Sequence, residues 1–162
     1  LGSSLKRKRM IMHLIKSSIM LLSLSFGALL FTSCASVPMM GLQQDQEAKE
    51  FKTEPSKSRI YIYRNENFGG AIKVTVTIDG KLVGQTASNT YFAVDVDSGK
   101  HQISCLAESN SQVEVNVKSG EAAYVFQEMK MGLMSAGCAL EEVSAIIGQK
   151  AVRECKRAQA NF

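Results

Sequence analysis

From Arg59 onward, apolar and polar residues alternate with a period of two, the signature of strands with one buried face. Ile60 and Ile62 alternate with Tyr61 and Tyr63, and Val74, Val76 and Ile78 alternate with Lys73, Thr75 and Thr77. Successive side chains of a strand point to opposite faces, so each set is expected to cover one side of a core. Asp79-Gly80 separates two such runs, and a two-residue connection needing positive φ predicts a hairpin that pairs Ile72 to Ile78 with Lys81 to Thr86. Phe92, Val94 and Val96 continue the pattern to a turn at Asp97-Ser98-Gly99-Lys100. Ile103 and Cys105 carry the next inward face, and Val113, Val115 and Val117 the one after it. Beyond the turn Ser119-Gly120-Glu121 come a long strand from Ala122 to around Met131 and a last one around Cys138 to Val143. Short strands at this spacing predict a mainly β domain, an antiparallel β-sandwich of about seven or eight strands. Only Ile147 to Ala158 reads as a helix, with Val152 and Cys155 on its buried side and Lys150, Arg153, Lys156 and Arg157 in water. This single C-terminal helix is expected to cover an open end or edge of the sheets.

The chain ahead of the strands has a different texture. A basic stretch is followed by thirteen largely apolar residues from Ile19 to Phe31, then by small residues and a cysteine, which is the layout of an export signal. The run is shorter than the roughly 20 residues of a membrane span. Translation is expected to begin at Met10 or Met12, with residues 1–9 upstream read-through. The segment Leu30-Phe31-Thr32-Ser33-Cys34-Ala35 resembles the lipobox of bacterial lipoproteins, although Phe31 stands where leucine is usual. The resemblance implies a signal peptide over 1–33 and a diacylglyceryl group on the thiol of Cys34, which becomes the mature N-terminus. Ala35, rather than aspartate, implies sorting to the outer membrane facing the periplasm. Residues 34–58 contain Pro38, Gly41, Pro55 and the polar run Gln43 to Glu47, and read as a lipidated cysteine followed by a flexible tether. Such a tether of some 23 residues has an r.m.s. reach of roughly 26 Å. A short helix over Gln43 to Lys52, docking through Ala48 and Phe51, is the alternative. The β-sandwich domain with its helix occupies 59–162.

Charge matters only once it is placed along the chain. The net +4 comes from 19 basic and 15 acidic residues, but five of the basic ones precede Cys34 and every acidic one follows it. The remainder is close to neutral, which argues against a nucleic-acid partner. His101 is the only histidine after Cys34, since His13 lies in the leader, and this excludes a histidine-rich metal site.

Several short blocks then follow in order: Arg59-Ile60-Tyr61-Ile62-Tyr63-Arg64, Ile78-Asp79-Gly80-Lys81, Tyr91-Phe92, Ser98-Gly99-Lys100-His101 and Lys130-Met131-Gly132-Leu133. Together they resemble the bacterial lipoprotein family known as domain of unknown function 2846, over residues 59 to about 157. The family commonly has a proline where Ser98 stands here. It is assigned no reaction, so the resemblance implies no catalytic residue.

Several constellations carry candidate chemistry. With Cys34 acylated, Cys105, Cys138 and Cys155 remain. Cys105 falls on an inward strand position, so the expected disulfide is Cys138 to Cys155, with a pair through Cys105 or no disulfide as alternatives. Met129, Met131, Met134 and Cys138 have softness suited to monovalent copper, but methionines also fill cores, and no metal or cofactor is assigned. His101 beside Asp95, Asp97 and Ser104 contains the atoms of a hydrolytic triad, yet alternation places Ser104 opposite His101. Phe68-Gly69-Gly70 lacks the lysine and helix of a phosphate loop. Tyr61, Tyr63, Arg64 and Tyr91 form a possible binding surface for a glycan or an envelope protein if exposed. If the tether and helix cover that face, they are core. The expectation is therefore a lipid-anchored, non-enzymatic binding module of the bacterial envelope, with a structural or assembly accessory as the alternative.

Overall fold

A computed structural model describes residues 36–131 and 136–162. The strands are β1 (Ser58–Arg64), β2 (Val74–Ile78), β3 (Lys81–Thr86), β4 (Thr90–Val96), β5 (Gly99–Leu106), β6 (Ser111–Val117), β7 (Ala122–Met131), β8 (Ala136–Val143) and the two-residue β9 (Lys156–Arg157). Two helices accompany them, α1 (Leu42–Ala48) and the C-terminal α2 (Ala145–Glu154). The strands form a five-stranded sheet, β8-β7-β1-β4-β9, facing a four-stranded sheet, β3-β2-β5-β6. The fold is thus the expected mainly β sandwich, with one short strand and one short helix more than the periodicity showed.

Alternation explains the core. Ile60, Ile62, Phe92, Val94 and Val125 point from the larger sheet onto Val76, Ile78, Ile103, Val115 and Val117 of the smaller one. The hairpin forms as its sequence dictates, since Asp79 and Gly80 both have positive φ and Ile78 pairs with Lys81. A bulge between Val76 and Thr77 then shifts the register, so that Val76 faces Gly84.

Two pairings run parallel rather than antiparallel. β1 pairs with β7, Tyr61 beside Tyr124, and β4 pairs with β9, Thr90 beside Lys156. The β1–β7 pairing places β1 inside the larger sheet, where both its faces are covered and every residue from Ile60 to Arg64 is buried. α2 begins after Ser144, two residues earlier than expected, and ends at Glu154 rather than Ala158, because Lys156 and Arg157 leave the helix to pair with β4 as β9; it lies on the outer face of this sheet rather than across an end. Its close approach depends on Gly148, where a Cβ would come within 2.4 Å of the Tyr124 side chain.

The stretch expected to be a flexible tether is instead folded from Val37 onward. Val37 joins the inter-sheet core, Met39 bridges Ala158, Met40 N–H donates to the Arg157 carbonyl (2.9 Å), and Gln159 N–H donates to the Pro38 carbonyl (2.9 Å). Seven residues make α1 too short to be stable in isolation. It holds because Ala48 and Phe51 dock on the tyrosines, the alternative recognised above. Cys34 and the signal segment 1–33 lie outside the described residues.

Candidate functional site

Tyr61, Tyr63, Arg64 and Tyr91 are the residues that sequence pointed to as a binding surface, and the structure buries all four, with 2% exposure or less. This corrects the exposed reading. The rings pack with Phe51 and Tyr124 into a second core on the outer face of the larger sheet: Tyr61 stacks on Tyr124 at 5.0 Å and lies 5.4 Å from Phe51, and Tyr63 meets Phe126 at 5.5 Å. The physical reason is that α1, Phe51 and α2 supply apolar area that would otherwise face water, as would the tyrosine rings.

Two of the three hydroxyls are engaged as well. Tyr61 donates to the Ala48 carbonyl at 2.7 Å, and Tyr91 donates to Asp45 Oδ1 at 2.9 Å. Burial raises the pKa of both phenols, and for Tyr91 the neighbouring Asp45 carboxylate raises it further; Tyr63 is pushed up to about 12 by burial. Tyr61 and Tyr91 are thus neutral structural donors. Asp45 is the hub of the arrangement, because Oδ1 also accepts the Arg157 N–H (2.9 Å) while Oδ2 pairs with Lys49 (2.8 Å). Burial opposes the charge of Asp45, but Lys49, Tyr91 and the Arg157 amide outweigh it and hold the carboxyl below its ordinary pKa.

Arg64 is a loop clamp rather than a ligand-binding group. Its Nη1 donates to the Ile72 carbonyl (2.8 Å) and Nη2 to the Phe68 and Gly69 carbonyls (2.6 and 2.8 Å). Nε lies 3.4 Å from Glu66 Oε1, out of line for a hydrogen bond. The Phe68-Gly69-Gly70 stretch is therefore the connection between β1 and β2, with its carbonyls turned onto a cation.

The disulfide joins Cys105 to Cys138, not Cys138 to Cys155. It ties β5 of one sheet to β8 of the other. Cys138 sits between the sheets with Val74 and Met129, whereas Cys155 lies behind the larger sheet among the tyrosines, so the sheet itself separates the pair expected from sequence. Cys155 is a free, buried thiol that burial pushes up to about 12, which leaves it protonated and unreactive.

His101 is part of a latch at the hairpin end. Nδ1 lies 2.7 Å from Asp79 Oδ2 and Nε2 lies 2.9 Å from the Asp97 carbonyl oxygen. Both partners are acceptors, so the two bonds are satisfied together only by the imidazolium. Burial works against that charge, but Asp79 and Asp97 outweigh it and raise the pKa. A ring with both nitrogens donating has no lone pair for base catalysis. Asp95 is engaged by Arg59 at 2.6 Å, and Ser104 falls on the other face of β5. Met129 is buried, Met131 is exposed and Cys138 is oxidised, while Met134 lies outside the described residues. Among the described residues, no three His, Cys, Asp or Glu groups converge as metal ligands would.

Asp45, Lys49, Glu66 and Arg157 were not anticipated. Asp45 and Lys49 are one helical turn apart and Glu66 lies two residues from Arg64, but their other partners, the Tyr91 hydroxyl, the Cys155 carbonyl and the Arg157 and Met129 amides, are met only when segments distant in sequence come together. Comparison with known proteins agrees with the resemblance in the short blocks. Residues 54–139 match the model of a family described as "Protein of unknown function (DUF2846)". A relative from Haemophilus influenzae, described as an uncharacterised protein, is 36% identical over 133 residues, spanning 81% of this chain and 79% of the relative.

Proposed function

This chain belongs to the family of unknown function 2846, and from that premise we propose that it is a lipid-anchored, non-catalytic accessory protein of the bacterial cell envelope. It attaches to the membrane through the lipid on Cys34 and acts by supporting or assembling an envelope protein. Its location is the outer membrane, facing the periplasm. The observation that carries this reading is how the aromatic and ionisable groups are used. The tyrosine rings, Arg64 and His101 that might have served a ligand or a reaction are each engaged in holding segments of the chain together.

Two further features support it. A disulfide between the sheets suits a protein matured in an oxidising compartment. The near-neutral charge after Cys34 suits a protein partner better than a nucleic acid. The glycan-binding version of the reading loses its platform, because stacking on a sugar requires an exposed ring.

The test is the intact mass of the full chain extracted from bacterial membranes, beside a Cys34→Ala variant. The expected species begins at Cys34, carries added acyl mass and lacks two hydrogens. A species that begins elsewhere without acyl mass overturns the anchor. Photocrosslinking in the envelope then separates the accessory role, which gives one protein partner at a fixed surface, from a free-standing domain that gives none.

A further inference from the structure

The anchor and the folded domain are much closer than a tether would make them. Val37 is in the core, and Cys34 precedes it by three residues, a stretch whose fully extended length is at most about 11 Å. Such a link keeps one end of the sandwich within about 11 Å of whatever surface holds Cys34.

That end can be identified. Val37 and Met39 share a hollow with Ser88, Asn89 and Lys156, at the end where β1 finishes and β4 and β9 begin. Asn89 donates to Asn67 at 2.8 Å, which places the neighbouring Phe68, half exposed, beside the point of entry. An adjoining hollow shares Glu154 and is lined by Asn65, Lys150 and the exposed Ile146 and Ile147, 85% and 58% accessible. Met39 and Phe68 at this end, and Ile146 and Ile147 on the adjoining flank of α2, therefore lie beside two hollows that share Glu154, and exposed apolar side chains gathered in this way mark a contact surface. At the opposite end the hollow beside Phe162 is polar, lined by Lys57, Asp79, Asp97 and His101.

We infer that the end of the sandwich bearing Met39 and Phe68, together with the adjoining flank of α2 bearing Ile146 and Ile147, is a membrane-apposed face, seated on the lipid headgroup and acyl boundary beside the anchor. The inference rests on acylation of Cys34. The apolar side chains add a second membrane contact to the acyl chains and fix which way the domain points. Lys150 and Lys156, which line the same two hollows, lie at the level of lipid phosphates.

The chain contains no tryptophan, so Phe68→Trp, Ile147→Trp and the far-end control Leu82→Trp each introduce a single indole at an exposed position. The lipidated full-length proteins are reconstituted into phosphatidylethanolamine and phosphatidylglycerol vesicles, with or without brominated acyl chains, and floated on a density gradient. All three are expected to float. The Phe68→Trp and Ile147→Trp emission shifts to the blue and is largely quenched by brominated lipid, while Leu82→Trp emission is unchanged. Floating proteins with no quenching at Phe68→Trp and Ile147→Trp, or with equal quenching at all three positions, overturn the membrane face and leave the anchor standing. Failure to float overturns both.

Discussion

At the scale of single residues, the chemistry of this protein lies in buried polar groups with specific partners. Asp45 is the clearest case, because one carboxylate satisfies the Tyr91 hydroxyl, the Arg157 amide and the Lys49 ammonium. Asp45→Ala leaves the first two donors without that acceptor, and is expected to cost about 1–3 kcal/mol, read by urea denaturation. Tyr91→Phe removes only one donor and costs less; equal losses would refute the hub. His101 makes a pH-dependent contribution. Its folded pKa is raised, so the stability it supplies is fully present below about 6.5, the ordinary value, and is lost as pH rises through the higher folded value. The stability difference between wild type and His101→Gln should therefore shrink as pH rises from 5.5 to 9, and a difference that grows with pH contradicts the latch. Cys105→Ser opens a bridge between residues 33 apart, for which chain entropy predicts a loss of about 4 kcal/mol. Cys155→Ala should retain the bridge, as non-reducing mass analysis would show.

At the scale of elements, local rules and long-range packing had different shares. The turn of the β2–β3 hairpin was legible, because Asp79-Gly80 is local turn chemistry and β2 alternates strictly, but the bulge after Val76, which resets the pairing, was not. α1 was only half legible. Its polar run carries little local signal, and the helix is held by Ala48 and by the Lys49 side chain, which donates to the Cys155 carbonyl at 2.6 Å. α2 was recognised by its apolar spacing, but its position against the sheet face depends on Gly148. Gly148→Ala drives a methyl into Tyr124, and overpacking of this kind costs about 1–3 kcal/mol. The expected readout is a lower melting temperature with faster hydrogen exchange in α2 and β7. Exchange that rises equally throughout the molecule would mean that Gly148 does not act locally.

At the scale of the whole molecule, the two ends of the described chain are fastened together. The N-terminal strap pairs with the C-terminal segment through Pro38, Met40 and Gln159, and Arg157 reaches both the Gln44 and Ala93 carbonyls at 3.1 Å. Cutting the chain between Lys49 and Lys52 would leave the strap attached by these bonds but weaken its docking. Tyr61 and Tyr91 should then become accessible to nitration, while remaining protected in the intact protein. Nitration of the intact protein at the same rate would refute the second core.

Strand alternation, the hairpin turn, the existence of a C-terminal helix and the family were legible in the sequence, because each is written in neighbouring residues or in short blocks. Which faces are buried, which cysteines meet and whether residues 37–58 are tether or fold emerged with the assembled fold alone. Alternation separates Tyr61 from Ile62 but does not say that helices cover the tyrosine side while the second sheet covers the other. Cys138 was placed on a strand without showing that Cys105, on the facing sheet, lies across from it while Cys155 lies behind. Those outcomes depend on the parallel β1–β7 pairing and on contacts between segments more than a hundred residues apart, such as Asp45 with Arg157. Local periodicity carries no information about such partners, because the free energy that selects them appears only when the chain is assembled.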